Sequence, residues 1–351
     1  MLNLFDGKQG VVIFTIALYR AIKIAFAALL VGVSTYAVTV AQAQTPSASD
    51  IMDAVVQVHA MVPEDARTAE HLGTFRDGSG IVIDDDGLIV TIGYVIMEST
   101  SLAITRADGG DPVPADMVAY DHNTGFGLLR TREPLQVKPV VLGSSADLEE
   151  GGTAMIVSRG DAYPVTPAQV VSRREFTGYW EYLLEDAIFT MPPHRHFGGA
   201  ALINEAGKLV GIGSLYVNDA AGPETMSPGN MFVPIDALKP ILADLVQTGR
   251  SAKPANPWLG IYTDQREGRV LVTRVAAEGP AWKAGIKAGD IIIGVGGHRV
   301  SGMPDFLRRV WAHGEAGAEV VVDVLSMDSS DLEIKHIPVR SRDRRDWLKL
   351  N

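Results

Sequence analysis

Between residues 51 and 245 the apolar residues of this chain come in short runs, broken by Gly, Asp and Asn. "GIVID" (80–84), "LIVTI" (88–92), "MVAYD" (117–121), "TAMIVS" (153–158) and "KLVGIGS" (208–214) all read as strands. "DDDG" at 84–87 and "NEAG" at 204–207 read as hairpin turns, each with a glycine available for a positive φ. Many short strands at regular spacing predict a barrel or a sandwich.

The strand-rich region closes on "PIDALKPILADLVQTG" (234–249), where Leu238, Ile241, Leu242 and Leu245 follow helical spacing and Gly249 fits a helix stop. "RSAKPANP" (250–257) is a polar linker that marks a domain boundary. Beyond it lies a smaller unit, 258–340, with strands at "WLGIYT" and "RVLVTRVAA" and a helix at "MPDFLRRVWAH" (303–313). Phe306, Leu307, Val310 and Trp311 fall on one side of that helix, and "AEVVVDVLS" and "DLEIKHIPV" close the unit as strands. The basic, polar tail "RSRDRRDWLKLN" is expected to fray.

A chain of 351 residues with 46% hydrophobic content predicts two domains or more. A net charge of −11 argues against a nucleic-acid binder, which needs a basic face to neutralise phosphates. With no cysteine, disulfides, thiolate chemistry and a Cys-ligated zinc site are excluded. Near the N-terminus, Arg20 and Lys23 precede the apolar run 24–44, which ends with small residues at Ala41 and Ala43. That pattern reads as a secretory signal over 1–43, with an uncleaved membrane anchor as the alternative. The rest of the chain is then periplasmic or secreted, or held at the inner membrane by the anchor.

"WLGI" (258–261), "GPAWKAGIKAGDIIIGVGGHRV" (279–300) and the helix after Ser301 resemble a bacterial PDZ domain. The resemblance implies that the Trp258–Leu259–Gly260 loop turns its backbone N–H groups toward a peptide's C-terminal carboxylate. Converging N–H groups make an anion site without a charged side chain. The peptide then adds as a strand beside the one starting at Ile261, and Gly260 allows close backbone approach. Phe306 and Leu307 are candidates for the wall of an apolar pocket. Arg266 and Arg269 either attract an acidic peptide end or are solvated turn charges. The alternative for the whole loop is an edge strand that binds nothing.

The larger unit, 51–249, resembles the Deg/HtrA family of trypsin-like serine proteases, which carry a PDZ unit directly after the protease. "GSGIVIDDDGLIVTIGYVI" (78–96), "DHNTGFGLLR" (121–130), "LGSSADLEEGGTAMIVS" (142–158), "FGGAALINEAGKLVGIGS" (197–214) and "MFVPIDALKPILADLVQTG" (231–249) match family segments in order. The implied fold is mostly β: a trypsin-like double six-stranded β-barrel, then a small α+β PDZ domain. Such a protease needs a serine to attack, a histidine to take its proton and an aspartate to hold the imidazole. The matching positions here are Phe197, Tyr94 and Gly125. Phe has no nucleophilic atom, Tyr is mostly protonated at neutral pH with a pKa of about 10, and Gly has no side chain. Arg195 also stands where the family has the glycine that gives one oxyanion-hole donor.

Substitutes for the triad are not apparent. Ser79 belongs to a structural G-S-G, His122 reads as part of a polar turn, and His194 and His196 read as a basic surface loop with no third ligand spaced for a metal. Two readings of Tyr94 and Phe197 stand: the rings stack and close the inter-barrel cleft, or they floor an apolar pocket. The expected protein is therefore an exported, catalytically degenerate Deg/HtrA relative without cofactor or metal. It binds peptide or unfolded-protein segments, or chain ends, in envelope quality control, as a homo-oligomer or as an adaptor beside active relatives. The alternative is a working serine endopeptidase.

Overall fold

The computed structural model describes residues 47–160, 162–326 and 333–350, so the leader read at 1–43 lies outside the described residues. Among those described, no helix is long and apolar enough to cross a membrane.

Six strands form the first closed barrel: β1 (Val55–Met61), β2 (Phe75–Val82), β3 (Leu88–Ile92), β4 (Ser101–Arg106), β5 (Gly109–Tyr120) and β6 (Phe126–Thr131), in the order β1-β2-β3-β6-β5-β4. The "DDDG" turn joins β2 to β3 with Gly87 at φ +77°. A Cβ there would also lie 2.2 Å from Thr131 Oγ1, so the position needs glycine for space as well as for conformation. All five residues of β3 are buried, which explains why "LIVTI" is a continuous apolar run and not an alternating one.

A second closed barrel repeats the plan with β7 (Thr153–Val157), β8 (Val165–Gly178), β9 (Tyr182–Met191), β10 (Ala201–Ile203), β11 (Leu209–Val217) and β12 (Gly229–Pro234), ordered β10-β11-β12-β9-β8-β7. One apolar cluster runs from Ile81, Val90 and Phe126 in the first barrel to Phe189, Ile212 and Met231 in the second. This is a mostly β, trypsin-like double barrel. After β12 the helix is shorter than its spacing predicts, covering Leu242–Thr248 only. Pro240 has no N–H to give to a helical ladder, so Ile235–Ala237 forms a 3-10 turn and the α-helix begins after the proline.

The C-terminal unit is a six-stranded sheet of β13 (Ile261–Arg266), β14 (Arg269–Val275), β15 (Ile291–Val295), β16 (His298–Arg299), β17 (Glu319–Leu325) and β18 (Ile334–Arg340). The helix Pro280–Ala284 has Pro at its start and Gly285 in the left-handed conformation at its end. The helix Met303–Trp311 buries Met303, Phe306, Leu307 and Val310 against the sheet, in one cluster with Leu259 and Ile261.

The tail differs from its expected fraying. Trp347 and Leu348 are buried in a cluster with Met97 and Tyr120 of the first barrel and Trp258, Tyr262 and Ala276 of the PDZ unit. Trp347 packs on Trp258 with ring centroids 5.0 Å apart, donates from Nε1 to Ala277 O at 2.9 Å and carries Arg67 over its ring. Charge density suggested exposure, but two large apolar side chains outweigh it once a neighbouring surface is available. We expect Trp347→Ala to destabilise the chain by about 3–5 kcal/mol, read as a shifted urea midpoint; a change below about 1 kcal/mol would mean that the tail does not hold the barrel to the PDZ unit.

Candidate functional site

Tyr94 sits on the one-turn helix Gly93–Ile96 that ends β3. Its backbone is fixed from below. The buried Arg76 donates to Tyr94 O at 2.9 Å and to Met97 O at 3.1 Å, and its other arm reaches Thr68 Oγ1. Glu98 accepts from Thr68 N and Oγ1 and from Lys349 N, which ties the tail to the same knot. Gly93 N donates to Gly125 O at 2.7 Å, so the turn carrying Gly125 lies directly against this helix.

Phe197 lies in the segment between β9 and β10. Tyr94, Gly125 and Phe197 together line a cavity of about 470 Å³, with Tyr120, Trp180 and Tyr182 among its other walls. The rings of Tyr94 and Phe197 are not among the aromatic pairs of the described residues. Instead the Tyr94 hydroxyl donates across the cleft to Ser214 O at 2.9 Å, and burial pushes its pKa well up. A neutral phenol already donating to a carbonyl is no base. At Gly125, φ is +82°, and a Cβ would lie 3.3 Å from Tyr182 Oη. The Tyr182 hydroxyl donates to Thr124 O at 2.8 Å, so a phenol stands beside Gly125.

The glycine pair after Phe197 serves packing. A Cβ on Gly199 would lie 2.0 Å from Ser79 O, and one on Gly198 would lie 2.9 Å from Tyr94 Oη. Ser79 is buried; its N donates to Gly198 O and its Oγ accepts from Arg159 N. His194 departs from the expected surface loop: it is buried, with Nε2 2.7 Å from Ser158 Oγ and Nδ1 2.9 Å from Thr166 Oγ1. His196 and Arg195 are exposed. His122 lies in the expected polar turn, which Asp121 closes by accepting from Thr124 and Gly125; its ring also meets Tyr120 Oη and Arg344, and burial with that guanidinium drives its pKa well down.

In the C-terminal unit, Trp258, Leu259 and Gly260 lead into β13 at Ile261, with Gly260 at φ +80°. A carboxyl group already faces the N–H groups of this stretch. Leu259 N donates to Glu181 Oε2 at 2.9 Å and Ile261 N donates to Glu181 Oε1 at 2.7 Å. Glu181 belongs to the turn between β8 and β9 and is only 4% exposed. Two positions before it, Tyr179 O accepts from Thr263 N at 2.9 Å. Sequence reasoning missed Glu181, because a glutamate in the turn "GYWEY" looks like any solvated turn charge.

Residues 78–212 match the trypsin-like peptidase domain and residues 257–335 the PDZ domain. Over 318 residues the chain is 30% identical to "Protease Do-like 1, chloroplastic" of Arabidopsis thaliana, covering 83% of this chain and 69% of that one. The chain belongs to the Deg/HtrA family. It is also 27% identical over 250 residues to "Probable periplasmic serine endoprotease DegP-like" of Bartonella henselae, of whose length it spans 47%. "Serine endoprotease DegS" of Haemophilus influenzae is 24% identical over 272 residues, 75% of this chain and 76% of the relative. Among solved structures, "HtrA-type protease AlgW with decapeptide" shares the fold with a TM-score of 0.51 at 18% identity, over 84% of this chain and 96% of that one.

Burial pushes the Glu181 carboxyl up from the ordinary 4.5 to about 7, against the pull of the Leu259, Ile261 and Gly260 N–H groups and of Arg344. Between those values the folded chain holds a proton that the unfolded chain has released. Stability from this group is therefore greatest at low pH and is lost as pH rises through about 7. His122 has the opposite slope and acts only below its ordinary 6.5. We expect Glu181 to contribute a loss of about 2 kcal/mol between about pH 5.5 and pH 8. Glu181→Gln keeps His122 but lacks this component, so urea unfolding of both chains at the two pH values isolates it; parallel slopes would refute the assignment.

Proposed function

We propose that this Deg/HtrA chain is a pseudoprotease: a double barrel without peptidase activity, joined to a PDZ unit that binds peptide segments or chain ends. The observation that carries the reading is the set of side chains at the three triad positions. Phe197 offers no nucleophile, the Tyr94 hydroxyl is neutral and committed to Ser214 O, and Gly125 leaves its place to Tyr182. Chemistry that needs a serine, a general base and an orienting carboxylate has none of the three here.

Support for peptide binding comes from the PDZ match and from the relative whose solved structure holds a decapeptide. We assign the barrels to 51–249 and the PDZ unit to 258–340, with Trp258–Ile261 as the carboxylate loop. We infer a periplasmic setting, as in the DegP-like relative, with the run before residue 44 as its export signal or anchor. Envelope quality control, as a homo-oligomer or beside active relatives, follows from that setting. The second reading, an active serine endopeptidase, has the names of the relatives in its favour.

A serine-directed fluorophosphonate separates the two. The purified chain should remain unlabelled and should leave an unfolded casein intact. Phe197→Ser should also remain unlabelled, because restoring the hydroxyl restores neither base nor carboxylate. Stoichiometric labelling of any serine in the double barrel of the unaltered chain would overturn the pseudoprotease reading.

A further inference from the structure

A PDZ groove recognises a peptide by three features: N–H groups that take a carboxylate, a strand edge that pairs with the peptide backbone, and an apolar pocket between that strand and the facing helix. In this chain the turn between β8 and β9 meets all three from within. The Glu181 carboxyl accepts from Leu259 N and Ile261 N. Tyr179 O accepts from Thr263 N, the next N–H along the same edge of β13. Leu183, two residues beyond Glu181, packs against the PDZ core cluster of Leu259, Ile261, Phe306 and Leu307.

Charge locks the same fit from the outside. Arg308, on the helix Met303–Trp311, pairs with Glu175 of β8 and lies 3.8 Å from Glu185 of β9. Arg344 stands near enough to Glu181 to favour its charged form. Gln265 Oε1 accepts from Met303 N at 3.0 Å, so strand and helix are tied together beyond the turn. Glu181 itself has φ +58°, a left-handed conformation that a glutamate adopts only when its surroundings enforce it.

We propose that the turn Tyr179–Glu181 is a built-in ligand of the PDZ groove, its side-chain carboxyl standing where an incoming chain's C-terminal carboxylate would sit. The groove is then closed in the resting chain, and a free C-terminus binds only by displacing the turn. The inference rests on the peptide-binding reading above and deepens it. A groove that is open for only a fraction of the time weakens apparent affinity by that fraction. Removing the internal carboxyl should therefore strengthen binding of an external one.

The test uses the whole purified chain and its Glu181→Ala and Glu181→Gln forms. The probe is a fluorescein-labelled decapeptide with an apolar last residue, as the free acid and as the C-terminal amide, followed by anisotropy. The free acid should bind Glu181→Ala at least about tenfold tighter than the unaltered chain, with Glu181→Gln between them, and the amide should gain nothing. Amide hydrogen exchange at Leu259, Ile261 and Thr263 reads the groove without any peptide. These amides should be protected in the unaltered chain and lose protection in Glu181→Ala while the barrel strands keep theirs, which also shows that the variant is folded. Equal free-acid affinity in all three chains, or unprotected amides in the unaltered chain, would overturn the proposal. Protection lost only in the variant, with no peptide bound by any form, would overturn the peptide-binding function and leave the turn as the groove's occupant.

Discussion

Two backbone N–H groups donating to one buried carboxyl hold this molecule in its observed shape. Leu259 and Ile261 give, Glu181 receives, and 78 residues of chain separate the first pair. Buried N–H groups left without an acceptor cost about 1–3 kcal/mol each, and a buried carboxyl without donors costs more. Neither side is stable in this position alone. The turn also fixes its neighbours in register: Tyr179 pairs with Thr263, and Tyr182 reaches the opposite way to Thr124 O. One tight turn thus places residues on the PDZ groove and on the inter-barrel cleft together. Trp180 and Tyr182 stack at 5.4 Å between the two, so the link is packed as well as hydrogen-bonded.

The cleft's glycines are fixed by packing. The pair Gly198–Gly199 matches a segment that elsewhere follows a nucleophile, and it is indispensable here for another reason. Ser79 O and Tyr94 Oη leave no space for a Cβ at either glycine, and Phe197 O leaves none at Gly213. These contacts belong to the joint between the barrels, where Ser79 N donates to Gly198 O. The side chain at position 197 takes no part in them. On the proposed reading, the residues at 94, 125 and 197 would leave out catalytic groups while these backbone contacts still hold the barrels together.

What the sequence made legible follows the same division. Strands with continuous apolar runs and glycine-bearing turns were readable because their causes are local: β-branched residues favour extended backbone, and Gly87 and Gly207 supply positive φ. Tyr94, Gly125 and Phe197 were matched to triad positions by the order of the family segments around them, and all three line one cavity. His194 was misread because "HRH" is basic in sequence, while its two ring nitrogens are met by Ser158, just after β7, and Thr166 of β8, 36 and 28 residues away. Trp347 and Leu348 were misread because seven charged residues of the tail mask a contact surface made by Met97, Tyr120 and Trp258. Glu181 had no local signal at all. Its meaning comes only from the loop it meets.

Because one turn borders both places, the PDZ groove and the aromatic cavity are not independent. Tyr179, Trp180 and Tyr182 line the cavity, together with Tyr262 and Thr273 from the PDZ sheet. Arg274 lies over the Tyr262 ring at 3.4 Å from its centroid, on the same wall. Were a chain end to draw the turn away from Leu259 and Ile261, as proposed, the cavity would lose the walls that Tyr179 and Trp180 supply, while Tyr182, paired with Gly178 at the start of β9, would stay beside Gly125. A molecule that fills the cavity against those rings holds the turn in place and disfavours the chain end. Thermodynamic linkage makes the two effects equal in size, since each ligand shifts the same equilibrium. The proposed displacement of the Glu181 turn would in this way couple two binding events, one favouring the docked turn and the other its release.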